Sequence, residues 1–154
     1  MKKLTLLLIA IVLTACSAMQ PAATAAPASD FDRAQQKWQD ANILHYRFNL
    51  SISCFCVFVQ DMPLDIEVND GKVVSMEFQN GNEIDPSFLE VFNRYATIDQ
   101  IFAELGKALD GGADQVTVEY DETYGFPTQV TIDFDQQAAD EEIYLTISDF
   151  EALP

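Results

Sequence analysis

At 154 residues the chain has room for one domain behind a leader and a linker, and 49% hydrophobic with 11% aromatic residues supplies a packed core and argues against global disorder. Lys2 and Lys3 are two of the eight basic residues, whereas all 25 acidic residues lie from Asp30 onward, so that part sets six basic against 25 acidic side chains, a balance of −19. Such a surface repels phosphate backbones and anionic headgroups and argues against nucleic acid as a partner; it reads first as a solvated acidic face, and second as a surface for a basic partner or a divalent cation.

Met1-Lys2-Lys3 is a short positive segment, and Leu4 to Leu13 (LTLLLIAIVL) is an apolar run of ten residues. A helix that crosses a bilayer needs roughly 20 apolar residues, so this run suits the apolar region of a signal peptide instead. It ends in Leu13-Thr14-Ala15-Cys16. This stretch resembles the lipobox of bacterial lipoproteins, in which small residues fit the signal peptidase and the cysteine thiol takes a diacylglyceryl group; the alternative is an ordinary secretory signal with a chance cysteine. The resemblance implies that residues 1–15 are a signal peptide and that Cys16 becomes a lipidated N-terminus. Two or three acyl chains, at about 0.8 kcal/mol per buried methylene, then hold the protein to a membrane. Ser17 after the cysteine, by similarity to the sorting rule of Gram-negative lipoproteins, implies the outer membrane, facing the periplasm. Residues 17–29 (SAMQPAATAAPAS) carry no charge and two prolines and read as a tether, at most roughly 45 Å long when extended. Residues 16–29 thus form the lipidated N-terminus and tether, and residues 30–154 a single domain.

In that domain a helix is predicted from about Asp30 to Ala41, capped by Ser29 and buried through Phe31, Ala34, Trp38 and Ala41. Tyr46, Phe48, Leu50, Ile52, Cys54 and Cys56 share one parity of a strand whose other parity is polar. Leu64, Ile66 and Val68 make a second strand, Asp70-Gly71 a two-residue hairpin, and Val74, Met76 and Phe78 a third strand. Asp85-Pro86 opens a short helix through Phe92. Thr97 and Gln100 form a capping-box pair ahead of a helix with Ile98, Ile101, Phe102, Leu105 and Leu109 on one face, stopped by Gly111-Gly112. Three strands follow, through Val116, Val118 and Tyr120, then Val130, Ile132 and Phe134, then Ile143, Leu145 and Ile147. The predicted fold is α+β: an antiparallel sheet of five or six strands with two or three helices packed on one face.

Trp38 with Tyr46 and Phe48, Cys54-Phe55-Cys56, Asp70-Gly71-Lys72-Val73-Val74, Thr97-Ile98 with Phe102, Val118-Glu119-Tyr120-Asp121, Gly125-Phe126-Pro127, Ile132-Asp133 and the stretch from Asp140 to Asp149 together carry a further resemblance. As a set they resemble an uncharacterised family of bacterial lipoproteins, a domain of unknown function. Phe126 stands where that family more often shows tyrosine. The resemblance implies address and fold and brings no activity.

Few residues suggest chemistry. Export places Cys54 and Cys56 in an oxidising compartment. Residues two apart on a strand lie roughly 6.5–7 Å apart, so a disulfide needs a bulge or turn at Phe55. A small disulfide, buried free thiols, and a metal or redox site all remain open readings of the pair. Two thiolates need two more ligands for zinc, and the single histidine, His45, falls on the opposite parity. No Gly-x-Ser-x-Gly elbow is present, and loops starting at Asp65 and Asp133 break the calcium pattern at its glycine position. No enzyme activity, metal or cofactor is expected. The segment Tyr120, Asp121, Glu122, Thr123, Tyr124, Gly125, Phe126 and Pro127 reads as a turn between strands, and alternatively as a binding loop formed by Tyr120, Asp121, Tyr124, Gly125, Phe126 and Pro127. The preferred expectation is a lipid-anchored, non-enzymatic envelope module that binds or supports an unidentified envelope component. The alternative is a thiol redox or metal-handling lipoprotein using Cys54 and Cys56.

Overall fold

The structure, a computed structural model, describes residues 29–138 and 140–154. The signal peptide, the lipidation at Cys16 and all but the last residue of the tether, as expected from the sequence, fall on residues 1–28 and lie outside the described residues.

Helix α1 (Asp30–Ala41) starts where expected, because Ser29 Oγ accepts the Asp32 N–H at 3.1 Å and the Asp32 carboxylate accepts the Ser29 N–H at 3.1 Å. This reciprocal cap satisfies two amide groups that helix geometry leaves without partners. Ala34 and Trp38 are its buried residues, and Asn42 in the left-handed region ends it. Strand β1 (His45–Ser53) runs to the hairpin of β2 (Leu64–Asn69) and β3 (Lys72–Phe78), turned by Asp70 and Gly71 at φ 49° and 70°. Two positive φ angles match the twist of a tight hairpin. A short helical turn at Pro86–Phe88, capped by Asp85, leads into α2 (Leu89–Asn93). Helix α3 (Ile98–Lys107) is capped by Thr97 Oγ1, which accepts the Gln100 N–H at 3.1 Å. Strands β4 (Gln115–Tyr120), β5 (Pro127–Asp133) and β6 (Glu142–Ala152) complete the domain.

The six strands form one antiparallel sheet in the order β3-β2-β1-β6-β5-β4. It is the expected α+β architecture, with three helices on one face. Tyr46, Phe48, Leu50 and Ile52 of β1, Leu64, Ile66 and Val68 of β2, and Leu145 and Ile147 of β6 are all buried beneath them. Aromatic rings join the layers: Trp38 meets Tyr46 edge-on at 5.3 Å, Phe92 meets Phe78 at 5.8 Å, and Phe102 stacks on Tyr120 at 6.5 Å. Such pairs contribute about 0.5–1.5 kcal/mol each beyond the area they bury. The Tyr46 hydroxyl accepts the buried Ile98 N–H at 3.1 Å, so β1 satisfies an amide in the first turn of α3. Burial holds that phenol protonated, far above its ordinary range.

Four local expectations are corrected. A register shift beyond Glu67 makes Val74 the extra residue of a bulge; it is exposed, and Val73 packs inward instead. Strand β1 stops at Ser53, so Cys54 and Cys56 are not its last inward residues. Helix α3 gives way to a wide turn over Ala108–Gly112, where Asp110 and Gly111 leave helical geometry; Leu109 is exposed and Ala108 takes the buried position. Strand β5 ends at Asp133 and leaves Phe134 exposed.

Candidate functional site

Beyond Ser53 the chain contracts. The Cys56 N–H donates to the Cys54 carbonyl at 2.8 Å, a three-residue turn centred on Phe55. This draws the Cα atoms of Cys54 and Cys56 to 5.2 Å, within disulfide range, and the two are bonded. Of the readings left open for this pair, the structure contains the disulfide. Phe55 at its apex is 86% exposed and Val57 is 76% exposed. Phe134, Asp140, Glu141 and Glu142 face the bond across a shallow groove of about 210 Å³. Among the described residues, no three His, Cys, Asp or Glu side chains are gathered where a metal ion would bind.

The second candidate, Tyr120 to Pro127, is a turn fastened at several points. Asp121 Oδ1 accepts the N–H groups of Thr123 at 2.9 Å and Tyr124 at 2.5 Å, while the Asp121 N–H donates to the Phe126 carbonyl at 2.8 Å. Asp at the start of a turn makes these bonds because its short side chain reaches amides two and three residues on. Gly125, at φ 84°, lies against α1: a Cβ there would stand 2.5 Å from the Ala34 carbonyl oxygen. Lys37 Nζ donates to the Glu122 carbonyl and ties the same helix to the turn. Phe126 is buried, stacked on Phe150 at 4.5 Å and set edge-on to Trp38 at 6.3 Å.

These contacts divide the six candidate residues of that loop. Gly125, Phe126 and Pro127 are buried; Tyr120 is half-buried against Phe102. Burial, with the negative charge of Asp30 added, pushes the Tyr120 phenol up to about 12. Asp121 and Tyr124, partly exposed, border an open hollow of about 370 Å³ floored by Phe126, Ile147 and Phe150 and edged by Ser148 and Asp149. The cysteine pair and this turn are not brought together. Ser53 pairs with Tyr144 near the start of β6, whereas Phe150 under the turn lies six residues further along that strand, roughly 20 Å away at the rise of a strand.

One feature escaped sequence reasoning. Among the described residues nothing covers the sheet face opposite the helices, and strand register lines up Ser53, Tyr144, Thr131 and Thr117 across it, with Ser51, Thr146, Gln129 and Glu119 in the next row. Alternation identifies these as outward residues, but only strand order places them beside one another. At one end Arg47 pairs with Glu151 at 2.9 Å, and Asn49 Nδ2 donates to Asp149 Oδ2 at 2.7 Å. His45 bridges Glu67 Oε1 at 2.9 Å and the Pro154 carbonyl at 3.1 Å; these bonds raise its pKa above the ordinary histidine value, Glu67 contributing most.

No curated protein matches the chain. A family model described as a family of unknown function (DUF6174) matches residues 30–152, from the first residue of α1 to the last of β6. By that match, which spans the whole helix-and-sheet domain, the chain belongs to the DUF6174 family of unknown function.

Proposed function

We propose that the chain is a bacterial lipoprotein of the cell envelope, lipidated at Cys16, whose acidic α+β domain is a non-enzymatic module that binds or supports another envelope component. The observation that carries the anchor is Lys2-Lys3, the ten apolar residues Leu4 to Leu13, and Leu13-Thr14-Ala15-Cys16 in immediate succession. The uncharged residues 17–29 then lead directly into the capped start of α1. The excess of 19 negative charges beyond Cys16 repels anionic headgroups, so the tether carries the domain clear of the bilayer. Ser17 favours the outer membrane with the domain in the periplasm. A binding role is supported by the uncovered polar face. The only histidine is occupied by Glu67 and a backbone carbonyl, which favours a non-enzymatic module.

The anchor is tested by growing cells with an alkyne-tagged fatty acid. The wild-type chain is expected to carry the tag and sediment with membranes, and Cys16→Ser to lose the tag and leave the membrane fraction. A wild-type chain without tag, or a tagged Cys16→Ser chain, would sink this assignment.

The exposure of Phe55 and Val57 around the disulfide favours one second reading, thiol–disulfide exchange at Cys54 and Cys56. Acid quenching of cells followed by alkylation separates it from a structural bond. The structural bond predicts that neither thiol is labelled before reduction and both after it. A standing mixture of reduced and oxidised chains supports exchange.

A further inference from the structure

Strand β4 is an outermost strand of the sheet, and among the described residues no strand pairs with its outer side. The two sheet edges are built differently. At β3 a bulge around Val74 and the charge of Lys72 break the regular ladder, which is how natural sheets prevent further pairing. From Gln115 to Glu119, β4 is regular, with neither lysine nor proline, and its register shifts only at Tyr120. An edge of this kind accepts another strand.

Beside it the helix layer is incomplete. A groove of about 650 Å³ opens over β4 between the start of α1 and the end of α3. Phe31, Leu109, Val118 and Tyr120 give it an apolar floor, continuous with the core through the contact of Phe31 with Phe102 at 5.8 Å. Asp30, Asp32 and Asp110 stand on its rim, and among the described residues no lysine or arginine lines it. Asp30 already holds Arg33 and Asp32 caps α1, whereas Asp110 is exposed, next to the carbonyl end of α3. That helix end adds negative potential of its own.

A strand laid along the outer edge of β4 puts alternate side chains on the face of Val118, about 4.5–5.5 Å from their neighbours on β4, and therefore at the mouth of the groove. Its backbone pairs with the outward amide and carbonyl groups of the edge, the mode of recognition known as strand addition. We propose that β4 and this groove form the docking site for an extended, basic peptide segment of another envelope protein, with apolar side chains seated over Phe31 and Leu109 and lysine or arginine meeting Asp110. This rests on the reading of the domain as a binding module and names where it binds and what chemistry it takes.

The test uses the full chain as purified from cells and a fluorescent octapeptide of alternating lysine and valine. Saturable binding is expected, weakened about tenfold by raising salt from 0.05 M to 0.5 M, because the attraction is between exposed charges. Two controls isolate the geometry. Methylating alternate backbone nitrogens of the peptide removes strand pairing but not charge, and Leu109→Lys, at an exposed position, puts a repelling charge in the groove. Each is expected to weaken binding about tenfold, equivalent to roughly 1.4 kcal/mol, with the melting temperature of the variant unchanged. Equal binding of the methylated peptide, equal binding by Leu109→Lys, or no saturable binding would overturn the proposal. So would a dimer in light scattering that Leu109→Lys dissolves, since the occupant would then be a second copy. A photocrosslinking residue at Leu109, in the groove, or at Thr146, on the open face, separates this proposal from the broader reading. Capture in cells from Thr146 alone removes the edge site and leaves a binding module using its open face; capture from neither removes both.

Discussion

Trp38→Ala is expected to lower the stability of the domain by about 3–5 kcal/mol, the cost of deleting a large aromatic side chain from a packed core. Trp38 is buried and touches three rings, Tyr46 at 5.3 Å, Phe150 at 5.9 Å and Phe126 at 6.3 Å. These come from β1, β6 and the turn just before β5, so one side chain ties α1 to segments distant in sequence. Its indole N–H also donates to Asp99 Oδ1 at 3.1 Å, at the start of α3. Domains of this size are stable by only about 5–15 kcal/mol, so the variant gives up a large share of the total. Trp38→Phe keeps a ring in the site and loses the bond to the carboxylate, and is expected to cost about 1.5–3 kcal/mol. Urea unfolding followed by far-ultraviolet circular dichroism measures both, since Trp38 is the only tryptophan and fluorescence is lost with it. A loss below about 1 kcal/mol for the alanine variant would mean that the rings do not pack around Trp38 as described.

The same cluster shows what a linear sequence discloses and what it withholds. Tyr46, Phe48, Leu50 and Ile52 are legible because a strand alternates its faces every residue, and Ser29 with Asp32 is legible because a helix cap is a local bond. Val74 is not, because its exposure follows from a bulge set by pairing with β2, a partner the alternation does not describe. Leu109 continues the periodic stripe of α3 in sequence, yet the chain leaves helical geometry at Asp110 and turns it outward. Cys54 and Cys56 carry strand parity, and only the turn at Phe55 brings them within bonding distance. The candidate sites obey the same division. Cys16 is proposed as the lipid site from a contiguous pattern of charge, apolar length and small residues. By contrast, β4 as an edge, the groove beside it and the polar rows of the open face all depend on strand order, which no local pattern encodes.

Gly125→Ala tests how the turn from Tyr120 to Pro127 is held, and it is expected to cost about 2–5 kcal/mol. Two effects add. At φ 84° an L side chain clashes with its own backbone, costing roughly 1–2 kcal/mol. The new methyl would also stand 2.5 Å from the Ala34 carbonyl oxygen and 2.9 Å from Lys37 Cβ. The first of these is helix backbone, so relief requires α1 to move away from the sheet, and overpacking of this kind costs about 1–3 kcal/mol more. Because Trp38 lies on the same helix, that movement also opens the contact with Phe126, and the lone tryptophan's emission is expected to shift to longer wavelength in the folded variant. Thr123→Ala, two residues away and exposed, changes neither surface and is expected to stay within about 0.5 kcal/mol of wild type. A Gly125→Ala domain as stable as wild type would mean that the turn does not rest on α1. The conformation and the contact make the same demand at this position: the turn can reach the helix only where a residue carries no Cβ, and that contact is what keeps Phe126 beneath the surface while Asp121 and Tyr124 stay above it.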